Sequence, residues 1–595
     1  MTLKSLKYQD EVWVRDGSQT AVSTKRLSLI RITVLLLLTF VVLAGVLVFL
    51  LRAPEAAAEP AAASPPKINV PYFADNIAIS ERAVFWFGEV NETSNYADVR
   101  VGYNDEMMIV QVAAFDRLLW FDTTPSLAEI PEWDAATLYV NTSGNSGSAP
   151  TGSSYQFLGM HSPKGGEHFG AYKGNGSGWV ASSTSFNINT GTQASGFNNL
   201  DEDRGWWVAF EIPFASLGMS GPPADGAIWG VGVALHDRDD AAGTAIPMQV
   251  WPDGMNGERP STWGQFSFGT PVYNPPAGAV GGTTVIRDGG DGNTVVDVHA
   301  GGHSVCGGSL WPDRFFSDWG YLNYDGYPQI NIQNQFNLGD WPCFSKYFVT
   351  FPLDDIPAGK VILSAELSMY EFGNAGQGGT PTPQPTLLQV AAVDSAWNEA
   401  TLNWNNAPQI QENYATSWAG TIPPGGDGFF VTWDVSRAVA DAVEAGGPLR
   451  LSVYTADANR NSGKYFVSSE GALSKPERRP TLTVVWGDPP LTVTPSVWVI
   501  NAGEAATYTI AADALSGPVT IEADNPSVDL SFNFSSTVIN PPETAELVVT
   551  DLHGTGASGL VYTIPIRAIG SDGTLETAVY LFVGGHQQFL PLIQK

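Results

Sequence analysis

The chain is poor in cysteine, histidine and basic residues, and each shortage excludes a class of function. With 2 cysteines and no Cys-x-x-Cys pair, zinc ribbons, c-type haem attachment and thioredoxin-like chemistry are excluded. The 7 histidines are scattered, and no His-Glu-x-x-His, Gly-x-Ser-x-Gly or phosphate-loop motif occurs, so no catalytic residues are predicted. Only 29 Lys and Arg oppose 60 acidic residues. Without a basic stripe to replace phosphate counterions, nucleic acid is not expected as a partner.

The two cysteines, Cys306 and Cys343, fall within one predicted domain. In an oxidising compartment they form either one disulfide or two buried free thiols, and we favour the disulfide.

One long apolar run, Ile32–Leu51, lies near the start of the sequence. Its 20 uncharged residues would cross a hydrocarbon core of about 30 Å as a helix. Basic residues before the run outnumber those in the stretch after it, which predicts an N-terminus inside and the bulk of the chain extracellular, as a single-pass protein of the cytoplasmic membrane. The alternative is a cleaved signal peptide with a cut near Ala56–Ala58 or Ala61–Ala63, which would give a secreted protein.

Beyond this run the sequence is rich in turn residues and aromatics, with 63 Gly, 41 Pro, 19 Trp and 19 Tyr. Apolar residues alternate with polar ones at a period of two, as where Val99 and Val101 are interleaved with Asp98 and Arg100, which predicts β-strands. Segments 141–154 and 174–196 are expected to be long surface loops.

One helix is predicted over Ser436–Ala445. Val435, Val439 and Val443 recur at a spacing of four residues, and Gly446 can end the helix.

We therefore predict an all-β fold, with tandem β-sandwich or jelly-roll modules after one N-terminal transmembrane helix. The predicted order is a cytoplasmic segment 1–31, the transmembrane helix 32–51, a Pro/Ala linker 52–67, a β-sandwich 68–270, a jelly-roll module 283–487, an immunoglobulin-like sandwich 491–585 and a tail 586–595.

The first module carries an ordered set of motifs: Asp98–Tyr103, Trp133–Asp134, Trp206–Pro213, His236–Asp239 and Trp263–Phe266. This set resembles a family 9-type carbohydrate-binding module. The resemblance implies a β-sandwich that holds sugar between aromatic rings and that often binds calcium.

The second module contains Trp397–Pro408, followed by Trp433–Ser436, Tyr465–Gly471 and Arg479–Trp486. This ordered set is similar to the DNRLRE domain, a jelly-roll-like module of surface and secreted proteins that is grouped with carbohydrate-binding modules. The inserted segment 300–343, which carries both cysteines, departs from the family pattern.

Sugars stack their C–H faces on aromatic rings, and calcium takes clustered carboxylate oxygens. The candidate carbohydrate-binding residues, chosen beside loops or on a strand face, are Trp120, Trp133, Trp179, Trp206 and Trp251. The candidate calcium ligands are Asp237, Asp239 and Asp240, which follow a predicted strand. Core packing of each Trp and an ordinary acidic turn are the competing interpretations.

Together these patterns predict a membrane-anchored extracellular protein that binds a polysaccharide or a cell-wall glycan and has no catalytic site of its own. Two alternatives remain open. One is an envelope or adhesion protein that binds a protein partner. The other is a glycoside hydrolase or lyase whose carboxylate pair the sequence does not reveal.

Overall fold

Strands in which side chains alternate between two faces dominate the structure, a computed structural model. It describes residues 64–91, 94–161, 168–193, 196–275, 280–290, 292–302, 318–334, 344–357, 360–376, 382–456, 459, 461–471, 475–487, 491–513, 515, 517–554, 559–571 and 573–584. Among these residues there are 33 strands and one α-helix. The prediction of an all-β sandwich architecture is confirmed.

The first module holds strands β1 to β13. Their bounds are β1 (Lys67–Val70), β2 (Ala83–Gly88), β3 (Tyr96–Tyr103), β4 (Met107–Phe115), β5 (Ala135–Asn141), β6 (Ser154–Met160), β7 (His168–Gly174), β8 (Trp179–Ser182), β9 (Asn187–Gln193), β10 (Gly205–Pro213), β11 (Ile228–His236), β12 (Gln249–Trp251) and β13 (Gly264–Phe268). One of its sheets has the order β2-β3-β4-β10-β9. It packs on a second layer that includes β13, β11, β5 and β6.

The second module holds strands β14 to β24 and the helix. Their bounds are β14 (Val280–Arg287), β15 (Val296–Gly301), β16 (Gln329–Ile332), β17 (Ser345–Phe351), β18 (Val361–Asn374), β19 (Thr386–Val393), β20 (Ile410–Ala419), β21 (Phe429–Asp434), α1 (Ser436–Ala445), β22 (Leu449–Tyr454), β23 (Lys464–Val467) and β24 (Thr481–Gly487). Its outer sheet has the order β14-β24-β18-β23-β16, and β21 pairs with β18.

The third module is a sandwich of a four-stranded and a five-stranded sheet with its own apolar core. Its strands are β25 (Thr492–Thr494), β26 (Val497–Ile500), β27 (Ala505–Ala511), β28 (Val519–Ala523), β29 (Leu530–Phe534), β30 (Val538–Ile539), β31 (Thr544–Asp551), β32 (Leu560–Gly570) and β33 (Gly573–Val583).

A single 13-stranded sheet runs through the first two modules. Strand β1 joins the two halves, because it pairs in parallel with β13 and, through Lys67 opposite Glu412, with β20. The Lys67 ammonium lies 2.9 Å from a Glu412 carboxylate oxygen and adds an ion pair at the junction. The first two modules therefore share one sheet.

Strand β17 shows how the shared sheet is buried on both faces. Tyr347 and Val349 point into the core beneath the outer sheet of the second module. Phe348 points the other way, into a core that it shares with the β2-β3-β4-β10-β9 sheet of the first module. Because both faces of this strand are covered by apolar cores, the two modules form three stacked layers here.

The polar face of β3 lies within this inter-module contact. Asp98 and Arg100 are fully buried, with 3.3 Å between the guanidinium and the carboxylate. From the second module, Asn334 donates an amide hydrogen to Asp98 (2.9 Å) and the Tyr454 hydroxyl donates to the same oxygen (3.0 Å). The alternation predicted for β3 is confirmed, and its polar side contacts the neighbouring module instead of solvent.

Lys346 lies in an aromatic cage at the same interface. Its ammonium is fully buried, 3.8 Å from the ring centre of Trp404, 4.1 Å from that of Trp86 and 4.6 Å from that of Tyr96. It also donates a hydrogen bond to the Tyr96 hydroxyl (3.0 Å). Burial lowers the pKa of Lys346 well below its usual value, while the Asp98 charge opposes that shift.

Three amide side chains of the second module bind main-chain groups of the first in the way that a neighbouring strand would. Each accepts a hydrogen bond from one residue's N–H and donates one to the same residue's C=O. The pairs are Gln389 with Val84 (3.1 and 2.8 Å), Asn405 with Val90 (2.8 and 2.9 Å) and Asn413 with Asn69 (2.7 and 2.9 Å). These pairs satisfy main-chain groups that the first module leaves at its edge.

The helix is confirmed at Ser436–Ala445, and it ends at Gly446 with a φ of 67°. The prediction that 174–196 is a loop throughout is wrong, because β8 and β9 lie within it. Among the described residues, strand β9 pairs with β10 alone, and apart from Ile188 its residues are Asn, Thr, Gly and Gln, which show no apolar alternation.

Several predicted features lie outside the described residues: the transmembrane run Ile32–Leu51, Cys306, Cys343 and the tail 586–595. Within the described part of the chain, no helix has the length and apolar character needed to cross a membrane.

Candidate functional site

The structure places three of the five candidate tryptophans in the interior. Trp206 is 1% exposed and donates its indole N–H to Asp116 (2.9 Å), and Trp251 is 0% exposed and packs on Phe85 with 4.3 Å between ring centres. Trp120 is 9% exposed and borders a cavity of only about 10 Å³. Trp206 and Trp251 are therefore corrected from candidate sugar platforms to core residues, because neither indole face is open to a ligand.

The side chains of Trp133 and Trp179 remain partly exposed to solvent. The Arg238 guanidinium lies 4.0 Å from the ring centre of Trp133 and covers one face. Trp179 stacks parallel to Trp263 with 6.4 Å between ring centres, beside Tyr139. Among the described residues, neither ring lines the small cavity beside Trp120.

A partly buried carboxylate cluster lies at the end of β11 in the first module. Carboxylate oxygens of Asp116, Asp237 and Asp239 lie within 4.8 Å of one another. One Asp237 oxygen is buried and has no hydrogen-bond partner among the described residues. Burial, reinforced by neighbouring carboxylates, raises the pKa of Asp116 to about 7, of Asp237 to about 9 and of Asp239 to about 6. Clustered hard oxygens of this kind fit a calcium ion.

Asp240 lies outside this cluster. Its carboxylate accepts hydrogen bonds from the Thr244 backbone N–H (3.0 Å) and hydroxyl, which lower its pKa. Of the predicted calcium ligands, the structure brings Asp237 and Asp239 together and leaves Asp240 apart, and the third carboxylate of the cluster is Asp116, directly after β4. Asp116 is 121 residues before Asp237, so no local spacing could have indicated it.

A second carboxylate cluster lies in the second module, where Asp297, Glu399 and Glu470 have oxygens within 4.8 Å of one another. Asp297 is buried and accepts hydrogen bonds from the hydroxyls of Tyr347 and Ser469, each at 2.7 Å. Burial, together with the charge of Glu470, raises the pKa of Glu399 to about 7. This donor set also suits a hard divalent cation.

Glu399 belongs to the loop 394–409, which has a cavity on each side. The first cavity, of about 440 Å³, we call the Trp397 cavity; its lining is Ala396, Trp397, Asn398, Thr401, Leu402 and Asn406. The second, of about 370 Å³, we call the inter-module groove, and its polar lining includes Glu89, Gln249 and Asp253 from the first module and Asp394, Asn405, Asn406 and Gln409 from the second. Both volumes fall within the range of about 300–1,000 Å³ typical of ligand sites.

Side-chain amides shape the loop between these cavities. The Asn406 oxygen accepts a hydrogen bond from the Asn403 N–H (2.7 Å), and its NH₂ group donates to the Thr401 carbonyl (2.8 Å). The Asn398 oxygen accepts from the Ala400 N–H (3.0 Å). An amide has two donor hydrogens and two acceptor positions, so these two bonds leave one of each unused on Asn406.

The sequence pointed to this loop as the distinctive run Trp397–Pro408 but nominated no binding residue within it. The signal was present as clustered Asn and Trp between two strands. That Asn406 borders two cavities follows from the packing of the first module against the loop, which the sequence does not display.

These features define a protein of stacked β-sandwich modules with a polar, partly aromatic loop site. Residues 321–482, which include the loop 394–409, match the family model of carbohydrate-binding module family 96. The match supports a carbohydrate-binding module in this part of the chain. No curated protein matches the sequence significantly.

Solved structures similar to the chain include two of a family 9 carbohydrate-binding module from Caldicellulosiruptor kristjanssonii, one in complex with glucose and one with cellotriose. The first has 15% identity, a TM-score of 0.25 and coverage of 35% of this chain and 98% of that chain. The second has 12% identity, a TM-score of 0.25 and coverage of 35% and 100%. The BIgI domain of the beta protein from S. agalactiae has 23% identity, a TM-score of 0.13 and coverage of 16% and 97%.

Proposed function

We propose that the protein binds carbohydrate without a catalytic site of its own, and that the loop 394–409 carries the saccharide site. The observation that carries this proposal is the family 96 match over residues 321–482, within which the loop borders two cavities of ligand size.

The Trp397 cavity offers the chemistry that a sugar ring requires. Trp397, which is partly exposed, supplies apolar surface for C–H groups, and Asn398, Thr401 and Asn406 supply donors and acceptors for hydroxyls. The Trp397 ring packs in a T-shaped contact against the Phe348 ring, with 6.3 Å between ring centres. A ring fixed in this way costs little entropy when a ligand stacks on it.

We also propose the wider setting that the sequence indicates. The run Ile32–Leu51 would anchor the chain in the cytoplasmic membrane with the modules outside. Calcium would occupy the cluster of Asp116, Asp237 and Asp239, where it would neutralise the clustered carboxylates and hold the end of β4 against the end of β11. The third module, an immunoglobulin-like sandwich in this proposal, would act as a spacer.

The test is retention of the full chain, in detergent, by immobilised polysaccharides, with calcium and with chelator. We expect at least one polysaccharide to retain the protein and Trp397→Ala to abolish most of that retention. Trp418→Ala is the matched control, because Trp418 is 53% exposed, lies in the same family-matched region on β20 and borders neither cavity. The expected result includes no release of reducing ends from any bound polysaccharide.

Two outcomes would contradict the proposal. One is a protein that no polysaccharide retains under either condition. The other is equal loss of retention in the Trp397 and Trp418 variants while circular dichroism shows both folded.

A further inference from the structure

The inter-module groove is built by two modules that are separate in sequence. Its first-module wall carries Glu89, Gln249 and Asp253, and its second-module wall carries Asp394 and Gln409. The Gln409 amide donates to the Asp253 carboxylate across the boundary (2.6 Å). The groove thus exists only where the two modules meet.

Contacts beside the groove hold its walls at a set distance. Gly88 ends β2 with a φ of 79°, a conformation that favours glycine, and the chain then reaches Val90. Val90 exchanges two hydrogen bonds with the Asn405 side chain, and the Trp86 indole N–H donates to the Pro408 carbonyl (3.2 Å). The groove is therefore formed before any ligand arrives, which lowers the entropic cost of binding.

Asn406 connects the groove with the Trp397 cavity, because it lines both. Two cavities of about 370 and 440 Å³ that share a lining residue have room for more than one sugar unit.

The charge of the lining restricts the kind of saccharide. Three carboxylates, Glu89, Asp253 and Asp394, border the groove, and none of its described lining residues is Lys, Arg or His. A uronate or sulfate group would add like charge to this lining. Hydroxyl groups, by contrast, can donate hydrogen bonds to the carboxylates and exchange them with the amides of Gln249 and Asn405.

We propose that the inter-module groove and the Trp397 cavity together bind one uncharged oligosaccharide chain, so that the first module forms part of the second module's binding site. This inference rests on the proposed carbohydrate-binding function and specifies its ligand class and the extent of its site.

The test measures binding of the full chain, in detergent, to the neutral polysaccharides β-glucan, xylan and mannan and to the anionic polysaccharides alginate and polygalacturonate. Ser395→Trp in the second module and Met248→Trp in the first each place a bulky ring in the groove. Both residues are exposed, Met248 by 46%, so neither substitution has to displace a buried neighbour. Thr416→Trp, an exposed site on β20 that lines neither cavity, is the control.

We expect a neutral polysaccharide to bind with an affinity unchanged between about 0.05 and 0.5 M NaCl, a range over which exposed charges become screened. Ser395→Trp and Met248→Trp should each weaken binding about tenfold or more, as expected when one or two hydrogen bonds are lost. Thr416→Trp should bind as the unchanged chain does.

The inference is overturned, and the proposed function kept, if only the anionic polysaccharides bind. It is likewise overturned, with the proposed function intact, if neutral binding is lost in Trp397→Ala but unchanged in both groove variants. If none of the polysaccharides binds, the inference and the proposed function both fail.

Discussion

The pairing of Gln389 with Val84 provides the sharpest test of whether the first two modules fold as one unit. Gln389→Leu keeps the volume of the side chain and removes both hydrogen bonds to Val84, at 3.1 and 2.8 Å. Val84 is 0% exposed, so water cannot replace the lost partners. Each buried main-chain group left without a partner costs about 1–3 kcal/mol, which gives a loss of about 2–6 kcal/mol.

Differential scanning calorimetry of the full chain, with urea unfolding monitored by Trp fluorescence, measures this loss. We expect the transitions of the first and second modules to fall together, because β1 and the shared core connect them. The third module has its own apolar core, so its transition should stay in place and act as an internal reference.

Gln384→Leu is the control for this experiment. The Gln384 amide makes an exposed hydrogen bond to the Thr382 carbonyl, and its removal should change the free energy of unfolding by no more than about 0.5 kcal/mol. The reasoning is refuted if Gln389→Leu costs no more than the control, or if it lowers the second-module transition while the first stays unchanged.

Two further predictions concern the carboxylate clusters. In metal-free protein the folded-state pKa values of about 7 for Asp116 and about 9 for Asp237 lie above the ordinary Asp value of about 3.9, so the folded state binds more protons than the unfolded state. The free energy of unfolding should therefore fall as pH rises from about 4 to about 9. Added calcium should restore the free energy of unfolding most at high pH. Thermal melts at pH 5 and 8, with calcium or chelator, test this, and melts that respond to neither variable would contradict it. In the second cluster, Glu399→Gln removes one of three neighbouring carboxylates and so lowers the repulsion among them. The melting temperature of the metal-free protein at pH 8 should therefore rise. The further increase in melting temperature on adding calcium or magnesium should become smaller. A melting temperature that falls on this substitution would count against a repulsive cluster.

Features that depend on neighbouring residues were predicted well from the sequence. The helix Ser436–Ala445 agrees in both bounds, since Val spacing and the Gly446 stop are local signals. The alternation in β3 is confirmed for the same reason, because successive side chains of any strand face opposite ways.

Features that depend on packing between distant segments could not be predicted. In the sequence, Asp98 and Arg100 indicate the polar face of a strand, which usually meets solvent. In the structure, the second module buries both residues. The sequence predicts Trp206 as a sugar-binding residue on a strand face, but the indole reaches Asp116 in the interior. A single sequence offers no sign that Gln389 pairs with Val84, because amides are common on strands and the two residues are 305 positions apart.

The same non-local contacts explain why the candidate site differs from the predicted one. Tryptophans of the first module were chosen because they lie beside loops, but the first module uses much of its aromatic surface to build its core and its contact with the second, where Trp86 packs on Tyr454 with 5.8 Å between ring centres. Burial of that surface stabilises the joined modules and leaves polar edges at their boundary. A groove bordered by Glu89 and Asp253 on one side and Asp394 on the other is the consequence, so the geometry of the proposed binding site depends on the contact between the modules.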